Sequence, residues 1–390
     1  MTLRIAYVVH TFDMGGIERC VARLVNHLDR SQFEPVVICL DRNGDAAGWI
    51  ESDEVPIIEL HKRAGNDPRL IGRLSRVLRK NRIDLVHSHN WGTLLETVLA
   101  RKWARTPRHV HAEHGMELND LQVVNWRRTL RDQALKWGMR RVDAVVTVAQ
   151  WVRDRLAQKC GLERGQIEIV PNGVEALTVA NPRHERLRLR RMLGIPDSAM
   201  VAGSIGRLAP VKNFGMVIDA VEKLVRRQLD LHLILVGDGP ELSFLKTRLE
   251  NSSMAQRVHF VGWQTDTGPW LAAMDVYVNS SLSEAMSLSV LEAMGAGLSL
   301  AVTDVGENAR LVDGEAPCGI VVPSGDAQSL ANAMHRLLSH SELRDEYSRS
   351  ARQRFSDNYR VTHMVKRYET LYAALGGSAE FSRSRACPRR

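Results

Sequence analysis

Two glutamates lie eight positions apart in a stretch where a strand pattern changes to a helical one. Glu284 follows the apolar run VYVN, and Glu292 falls in a helical pattern that we expect to begin near Met286 and to end at Gly295–Gly297. Glycine can take the left-handed conformation that ends a helix, and the free N–H groups at the start of a helix bind phosphate. The two carboxylates could then bind hydroxyl groups of a sugar nucleotide on either side of that phosphate. A surface glutamate and a glutamate on a helix face would give the same spacing.

A pair of basic residues lies in a loop upstream of the glutamates. Arg207 and Lys212 are five positions apart, between the strand pattern AMVAGSI and the helical pattern FGMVIDAVEKL. A diphosphate leaving group needs cations close to it, because negative charge develops on its oxygens as the glycosidic bond breaks. Two cations at the end of a strand therefore predict a diphosphate site. The alternative is a pair of solvated surface charges.

Two consecutive glycines follow the first strand pattern. Gly15 and Gly16 lie between the apolar run LRIAYVVH and the helical pattern IERCVARLVNHL. Glycine lets the backbone approach an anion closely at the start of a helix, so this loop is a second candidate for phosphate contact. The dinucleotide fingerprint GxGxxG does not follow the first strand, and the phosphate loop GxxxxGK[ST] is absent. These absences argue against a dehydrogenase and against a P-loop ATPase.

Five histidines lie near the ends of two predicted strands. Alternate residues of a strand share a face, so these histidines could bind one metal ion. They could also fill core or polar positions, because no ligand motif such as HExxH accompanies them. We therefore predict no metal site. The five residues are His87, His89, His109, His111 and His114.

Apolar runs of strand length alternate with helical patterns along most of the chain. The runs before residue 171 are LRIAYVVH, EPVVICLD, VPIIEL, DLVHSH, RHVHAEH, DAVVTV and IEIVP, and the same alternation returns after residue 199. This alternation predicts parallel, doubly wound α/β sheets. The turn PNGV at 171–174 predicts a division of the chain there. We expect domains at 1–173 and 174–357, a helix at 358–375 that returns to the first domain, and a disordered tail at 376–390.

Composition narrows the class of protein. The 390 residues carry a net charge of +8, and five scattered cysteines lack the spacing of a metal site or a disulfide framework, which favours a reducing compartment. Neither a signal segment nor a membrane span is evident, so we expect a cytoplasmic protein. No recognition motif accompanies the basic residues, and no nucleic-acid partner is expected.

Taken together, these motifs resemble those of the retaining glycosyltransferases of family 4. The glutamate pair resembles the E-x7-E signature of that family, GRLAPVKN (206–213) resembles its arginine–lysine loop, and the glycine pair resembles its N-terminal glycine loop. The run HAEHGMELNDLQVVNWRR (111–128) is similar to bacterial exopolysaccharide and cell-surface sugar transferases. The resemblance implies the GT-B fold, in which two doubly wound Rossmann-like domains face each other across a cleft. It also implies transfer of a hexose from a nucleoside-diphosphate sugar, with UDP as the expected nucleotide, to a glycan or lipid-linked acceptor in bacterial polysaccharide biosynthesis.

The resemblance also implies a role for each candidate residue. The second domain would bind the donor and the first would bind the acceptor, and no metal or other cofactor would be needed. The donor's departing phosphate would accept the proton of the acceptor, since retaining members lack a clear protein nucleophile. The implied roles are diphosphate binding by Arg207, Lys212, the N–H groups of Ser287 and Leu288, and the Gly15–Gly16 loop; binding of donor-sugar hydroxyls by Glu284 and of ribose by Glu292; orientation of the donor sugar by His114; and contact with the base near Trp263.

Two stretches depart from the family pattern. Glu175 replaces the usual aspartate after PNGV, and Ala285, Met286 and Ser287 replace Gly-Phe-Gly after the first glutamate. The missing glycines leave the identity of the donor open. A sugar-nucleotide epimerase on the same fold, or a non-catalytic nucleotide-sugar-binding partner of a polysaccharide assembly complex, are alternatives to the transferase.

The positive charge is concentrated in the expected acceptor domain. Residues 61–160 carry 21 Lys and Arg against 9 Asp and Glu. The helical patterns 69–82 and 126–141 combine apolar faces with arginines. Such helices can lie peripherally on an anionic membrane, or their apolar faces can pack on the sheet. Membrane contact through the second helix would weaken with rising salt and when Arg127, Arg128 and Arg131 become Glu.

Overall fold

The computed structural model describes residues 2–106, 108–115, 126–250 and 252–376. The chain divides into two compact units: the first holds the residues up to Gly173 and again from Val361, and the second holds Val174–Arg360. The return to the first unit begins at Val361, where the sequence predicted residue 358. The predicted tail lies outside the described residues except for Gly376. Residues 116–125 of the run that is similar to cell-surface sugar transferases also lie outside them.

The first unit contains a seven-stranded parallel sheet with the order β3-β2-β1-β4-β5-β6-β7. Each strand predicted before residue 171 is present. Short 3-10 helices lie at Asp45–Trp49 and Arg164–Gln166. The elements are β1 (Leu3–Val9), α1 (Gly16–His27), β2 (Phe33–Cys39), β3 (Ile57–Glu59), α2 (Arg69–Lys80), β4 (Leu85–His89), α3 (Trp91–Ala104), β5 (Arg108–Glu113), α4 (Trp126–Met139), β6 (Ala144–Thr147), α5 (Gln150–Cys160) and β7 (Ile167–Ile169).

The second unit contains a six-stranded parallel sheet with the order β10-β9-β8-β11-β12-β13. A 3-10 helix lies at Pro210–Lys212. Its elements are α6 (Pro182–Met192), β8 (Met200–Ile205), α7 (Phe214–Arg226), β9 (Leu231–Val236), α8 (Leu242–Leu249), β10 (Val258–Phe260), α9 (Gly268–Ala273), β11 (Val276–Asn279), α10 (Leu288–Ala296), β12 (Ser299–Thr303), α11 (Asn308–Val312), β13 (Gly319–Val322), α12 (Ala327–Ser339) and α13 (Ser341–Asn358). One more helix, α14 (Val361–Gly376), belongs to the first unit.

Burial explains why the strands are continuous apolar runs. Every residue of β9 and of β12 is buried, because helices cover both faces of a parallel sheet. The helices in turn bury one face each: α7 places Val217, Val221 and Leu224 in the core and leaves Arg226 exposed. The prediction of two doubly wound, Rossmann-like α/β domains is confirmed.

Helix α14 packs against the sheet of the first unit. Tyr368, Tyr372 and Leu375 are buried in the same apolar cluster as Tyr7 and Phe33. The hydroxyl of Tyr7 donates a hydrogen bond of 3.2 Å to the hydroxyl of Tyr372. A segment near the end of the chain is thereby joined to the first strand.

The apolar face of α2 is not available to a membrane. Leu70, Leu74 and Leu78 are fully buried in an apolar cluster with residues of β1, β2 and β4. Packing on the sheet is therefore the correct one of the two alternatives for 69–82. For 126–141, Leu135 is buried and Leu130 is exposed, while the side chains at 126–128 lie outside the described residues. No helix in the described part of the chain is long and apolar enough to cross a membrane.

Candidate active site

In the second unit, the chain leaves two neighbouring strands in opposite directions. From β8 the sheet continues through β9 to β10, and from β11 it continues through β12 to β13, while β8 and β11 pair with each other. Loops that diverge from neighbouring strands leave a crevice at the carboxyl edge of the sheet, where ligands of doubly wound folds bind. The two loops here are residues 206–213 and 280–287, and they contain Arg207, Lys212 and Glu284.

An ion pair joins these two loops. The ammonium group of Lys212 contacts Glu284 Oε1, and Ser281 Oγ donates a hydrogen bond of 2.8 Å to the same oxygen. The Lys212 side chain is 26% exposed and that of Glu284 is 10% exposed. A pair so little exposed is screened weakly by water, so its geometry is well defined. The prediction that these two residues belong to one site agrees with this contact.

Hydrogen bonds to backbone carbonyls hold the same two loops together. The N–H of Leu282 donates to the carbonyl of Val211 at 2.8 Å, and Ser280 Oγ donates to the carbonyl of Lys212 at 2.8 Å. Asn213 then takes a left-handed conformation with φ 50° and begins α7. These bonds fix the backbone from which the Lys212 side chain extends, and Glu284 orients its ammonium group.

A third loop supports Glu284 from the side of β12. Gly306 has φ +59°, and a Cβ at this position would collide with the carbonyl oxygen of Glu284. The N–H of Glu307 donates to the carbonyl of Ala285 at 3.0 Å. Only glycine permits this close approach, which sets the backbone of the Glu284 loop against the β12–α11 connection.

Helix α10 begins directly after the Glu284 loop. Its N-cap is Ser287, whose side chain makes no capping hydrogen bond, and its C-cap is Gly297 with φ 73°. The N–H groups of the first turn, from Leu288 to Val290, have no intrahelical acceptors. The helix start predicted near Met286 thus lies two residues later, and the glycine stop is confirmed. The uncapped N-terminus follows the Lys212–Glu284 pair on the same loop and can accept an anion.

The remaining donor-site candidates lie around this centre. Glu292 Oε2 accepts a hydrogen bond of 3.3 Å from Thr267 Oγ1, in the connection that follows β10. Trp263 lies in that connection and is 47% exposed. Arg207 is exposed and forms no ion pair with any residue that the structure describes. The structure therefore brings Lys212 and Glu284 into contact. It places Arg207 on the same loop as Lys212, Glu292 within α10, and Trp263 on the connection that follows β10.

The first unit has its own switch point, between β1 and β4. A cavity of about 320 Å³ opens there. Carboxylates, cations and an amide line it together with apolar side chains. The polar lining residues include Glu18, His89, Asn90, Glu113, Arg131 and Lys159. A mixed lining of this kind suits a polyhydroxylated ligand, because hydroxyl groups can bond to both charge types.

The Gly15–Gly16 loop lies where it was predicted, but an acidic side chain lies beside it. Gly15 is the N-cap of α1, and a Cβ on it would collide with Glu18 Oε2. Burial raises the pKa of the Glu18 carboxyl, and a hydrogen bond from its own N–H acts in the opposite direction. The sequence analysis missed Glu18. An acidic residue in the first turn of a helix was the available signal, since it interacts favourably with the helix dipole.

The five histidines lie on two faces of the first sheet. Ser88 Oγ is hydrogen-bonded to His109 Nε2 at 2.7 Å and to His111 Nδ1 at 2.8 Å. The neighbours of Ser88 along β4, His87 and His89, therefore point to the opposite face. Among the described residues, no group of three or more His, Cys, Asp and Glu could hold a metal ion. The alternative of one metal ion shared by these histidines does not fit this arrangement.

His114 is held by two residues at the end of β4. Its Nε2 lies 2.9 Å from His89 Nδ1, and its N–H donates to Asn90 Oδ1 at 2.9 Å. His89 lines the cavity of the first unit, whereas His114 does not. Burial lowers the pKa of His114 to about 4, and the nearby His111 acts in the same direction. The imidazole of His114 is therefore neutral near pH 7 and shares a single proton with neutral His89.

Comparison with known proteins matches both units to glycosyltransferase families. A family model described as Glycosyltransferase Family 4 matches residues 14–176, and one described as Glycosyl transferases group 1 matches residues 199–340. The chain is 25% identical to a UDP-Gal:alpha-D-GlcNAc-diphosphoundecaprenol alpha-1,3-galactosyltransferase of Escherichia coli, over 95% of this chain and 96% of the relative.

Solved structures agree with the fold. A glycosyltransferase from Rickettsia africae superposes with a TM-score of 0.80 at 18% identity, over 96% of this chain and 98% of that one. HepE from Anabaena, in complex with UDP and glucose, superposes with a TM-score of 0.79 at 21% identity, over 95% of this chain and 100% of that one.

The buried histidines predict a loss of stability in mild acid. Burial lowers the pKa of His87, His89 and His109 well below the ordinary value, so between the folded and unfolded pKa values the unfolded chain binds more protons. The free energy of unfolding should fall as the pH drops below about 6.5, by up to about 1.4 kcal/mol per pH unit for each histidine. Urea unfolding between pH 7 and pH 5 measures this slope.

A double variant provides the control. His87→Asn and His109→Gln each keep a polar atom where the bonded ring nitrogen lies, but neither side chain titrates. The variant should unfold with a shallower dependence on pH than the parent protein. An unchanged slope would show that these histidines are not held neutral by the fold.

Proposed function

Because the chain belongs to the family 4 glycosyltransferases with the GT-B fold, we propose that it transfers a hexose from a UDP-sugar to a glycan or lipid-linked acceptor, with retention of the anomeric configuration. The E. coli relative supports the donor and acceptor classes, since its name gives UDP-Gal as donor and a lipid diphosphate sugar as acceptor. The HepE complex contains UDP and glucose. The reaction would serve the synthesis of a bacterial polysaccharide or glycolipid.

One observation carries this proposal: Lys212 and Glu284 meet at the switch point of the second sheet, beside the uncapped start of α10. A cation and a helix N-terminus together suit a diphosphate, and a carboxylate beside them suits sugar hydroxyls. Lys212 and Arg207 would bind the diphosphate with the N–H groups of Ser287 and Leu288. Glu284 would bind the donor sugar, and Glu292 the ribose.

The transfer step follows from these roles. The bond between the anomeric carbon and the diphosphate oxygen breaks, and a bond to the acceptor oxygen forms on the same face of the sugar. The acceptor's proton passes to the departing phosphate oxygen. Cations fixed before the reaction stabilise the charge on that phosphate without reorganising, which is where such sites gain most of their rate. Glu284 is held in its ion pair and is not the nucleophile in this scheme.

The cavity of the first unit is the proposed acceptor site. Its mixture of Glu18, Asn90, Glu113, Arg131 and Lys159 can bond to several hydroxyl groups at once. The neutral imidazole of His114 lies one hydrogen bond behind this cavity, through His89. The roles predicted for His114 and for the Gly15–Gly16 loop toward the donor stay predictions.

Two other functions would use the same donor site. An epimerase would convert a nucleotide sugar without an acceptor, and a non-catalytic partner would bind the nucleotide sugar without converting it. Incubating the protein with a panel of nucleotide sugars, with and without glycan and polyprenyl-diphosphate acceptors, separates the three. A new glycosidic bond that forms only with acceptor supports the transferase, and NMR of the product gives its anomeric configuration.

Removing either cation should lower turnover. Lys212→Ala and Arg207→Ala each leave the developing phosphate charge without a fixed partner, and we expect kcat to fall by roughly a hundredfold or more. Lys246→Ala removes an exposed lysine of α8 and should leave kcat unchanged. Steady-state rates for the three variants test this. Near-normal turnover in both site variants would contradict the diphosphate assignment.

Transfer should survive removal of divalent metal ions. In the proposed scheme the charges of Lys212 and Arg207 take the place of a metal at the diphosphate, so rates before and after treatment with a chelator should agree. Loss of activity that one added metal restores would contradict this part of the scheme. A metal would then have to bind with the substrate.

A further inference from the structure

Three neighbouring helices of the first unit end at the same edge of its sheet. Helices α2, α3 and α4 each lead into one of the adjacent strands β4, β5 and β6. Hydrogen bonds tie the helix ends together: Arg79 Nη2 donates to the carbonyl of Trp103 at 3.3 Å, and Arg101 Nη2 donates to that of Arg141 at 3.2 Å. These ends, with the residues that follow them, form a continuous surface that we call the basic edge. It lies opposite the edge that carries the cavity.

The exposed charge of the basic edge is of one sign. Its described connections contain two carboxylates, and both are engaged: Asp84 accepts the N–H of Arg4 at 2.9 Å, and Asp143 pairs with Arg101. Seven exposed cations lie around them. They are Arg79, Lys80, Arg82, Lys102, Arg105, Arg140 and Arg141.

The charge excess stops at the neighbouring elements. Beyond α4, Lys159 pairs with Asp132 at 2.7 Å. On the other side of the sheet edge, Arg4 pairs with Glu34 at 2.5 Å. The cations of these two neighbouring elements are thus balanced by carboxylates, whereas those at the three helix ends are in excess.

Two exposed tryptophans lie within this patch. Trp103 is 60% exposed and Trp137 is 38% exposed, and the guanidinium of Arg141 lies 4.1 Å from the Trp137 ring centre. Cations at helix ends are explained by the helix dipole alone, but exposed indole rings are not. Tryptophan beside lysine and arginine is typical of surfaces that lie at the boundary between water and lipid headgroups.

A groove between α2 and α3 adds a binding feature. It measures about 640 Å³ and is lined by Ser75, Arg76, Arg79, Lys80 and Trp103. Ser75 is 3% exposed, and its hydroxyl has no hydrogen-bond partner within the described part of the chain. A buried hydroxyl beneath three cations suits one phosphate group, which can accept hydrogen bonds from all of them.

We propose that the basic edge docks on an anionic phospholipid bilayer and that the α2–α3 groove receives a headgroup phosphate. The contact uses the ends of the helices, not the buried apolar face of α2. Nucleic acid would also be attracted by the cations. The tryptophans favour the bilayer, because Trp103 lines the groove whereas Trp137 lies at the end of α4, so the two rings do not form a row on which successive bases could stack. The proposal is independent of the transfer reaction, since docking can be measured without substrates.

Cosedimentation with vesicles tests the proposal. The full chain should bind vesicles of phosphatidylcholine and phosphatidylglycerol at low salt, bind less as salt rises, and ignore vesicles of phosphatidylcholine alone. The triple variant Arg79→Glu, Lys80→Glu, Lys102→Glu should bind roughly tenfold more weakly or worse. Trp103→Ser with Trp137→Ser should also reduce binding, and Ser75→Ala should weaken it severalfold.

A matched variant controls for net charge and folding. Arg336→Glu, Arg349→Glu, Lys366→Glu changes the net charge equally but lies away from the basic edge, and it should bind vesicles nearly as well as the parent. Thermal unfolding and binding of UDP check that each variant is folded. No binding to anionic vesicles at low salt, an equal loss in the control, or tighter binding to an RNA oligonucleotide would overturn the proposal. Unchanged vesicle binding by Ser75→Ala would contradict the proposal that the α2–α3 groove receives a headgroup phosphate.

Discussion

The ion pair between Lys212 and Glu284 is the contact on which the donor site depends. It joins two loops that leave neighbouring strands of the second sheet in opposite directions, at the one place where a doubly wound sheet opens. The pair keeps a cation and a carboxylate, both mostly withdrawn from water, in fixed positions. Removing one partner would leave the other buried and unpaired, which costs more free energy than the pair contributes. The same fixed charges are what a diphosphate sugar would meet on binding.

In the first unit, by contrast, buried histidine and tyrosine side chains are held in their uncharged forms. Histidines and tyrosines extend from α14 through the sheet toward the cavity: His87 Nδ1 lies 2.7 Å from the hydroxyl of Tyr372, and His89 contacts His114. Burial lowers the pKa of the histidines and raises that of Tyr372, so these rings are neutral near pH 7. The ring centres of His87 and His89 lie 4.2 Å apart, so a ring contact links the hydrogen bond at α14 to the one beside the cavity.

Much of this could be predicted from the sequence, because strand periodicity and loop chemistry are local. The strands, the glycine stop of α10 and the loops that carry Lys212 and Glu284 all follow from neighbouring residues. Features that depend on distant partners could not be predicted. The histidines looked like one cluster, but only the pairing of β4 with β5 reveals that Ser88 separates them onto two faces.

The same reasoning explains two other differences. Glu18 was not predicted as a site residue, because its carboxylate lies beside Gly15 only as a result of the conformation of the loop. The basic pattern of α2 left membrane contact and packing on the sheet both open, and the structure places the apolar residues of that pattern in the core. Charge at the ends of three helices becomes one surface only after the strand order brings those ends together.

Binding of UDP to the parent protein and to Lys212→Ala, measured by isothermal titration calorimetry, tests the central claim most directly. The measurement needs neither the donor sugar nor the acceptor. If Lys212 binds the diphosphate, its loss should weaken UDP binding by about tenfold or more, which corresponds to about 1.4 kcal/mol, and should leave the weaker binding of uridine unchanged. Equal affinity for UDP in the two proteins would contradict the claim that this ion pair marks the donor site.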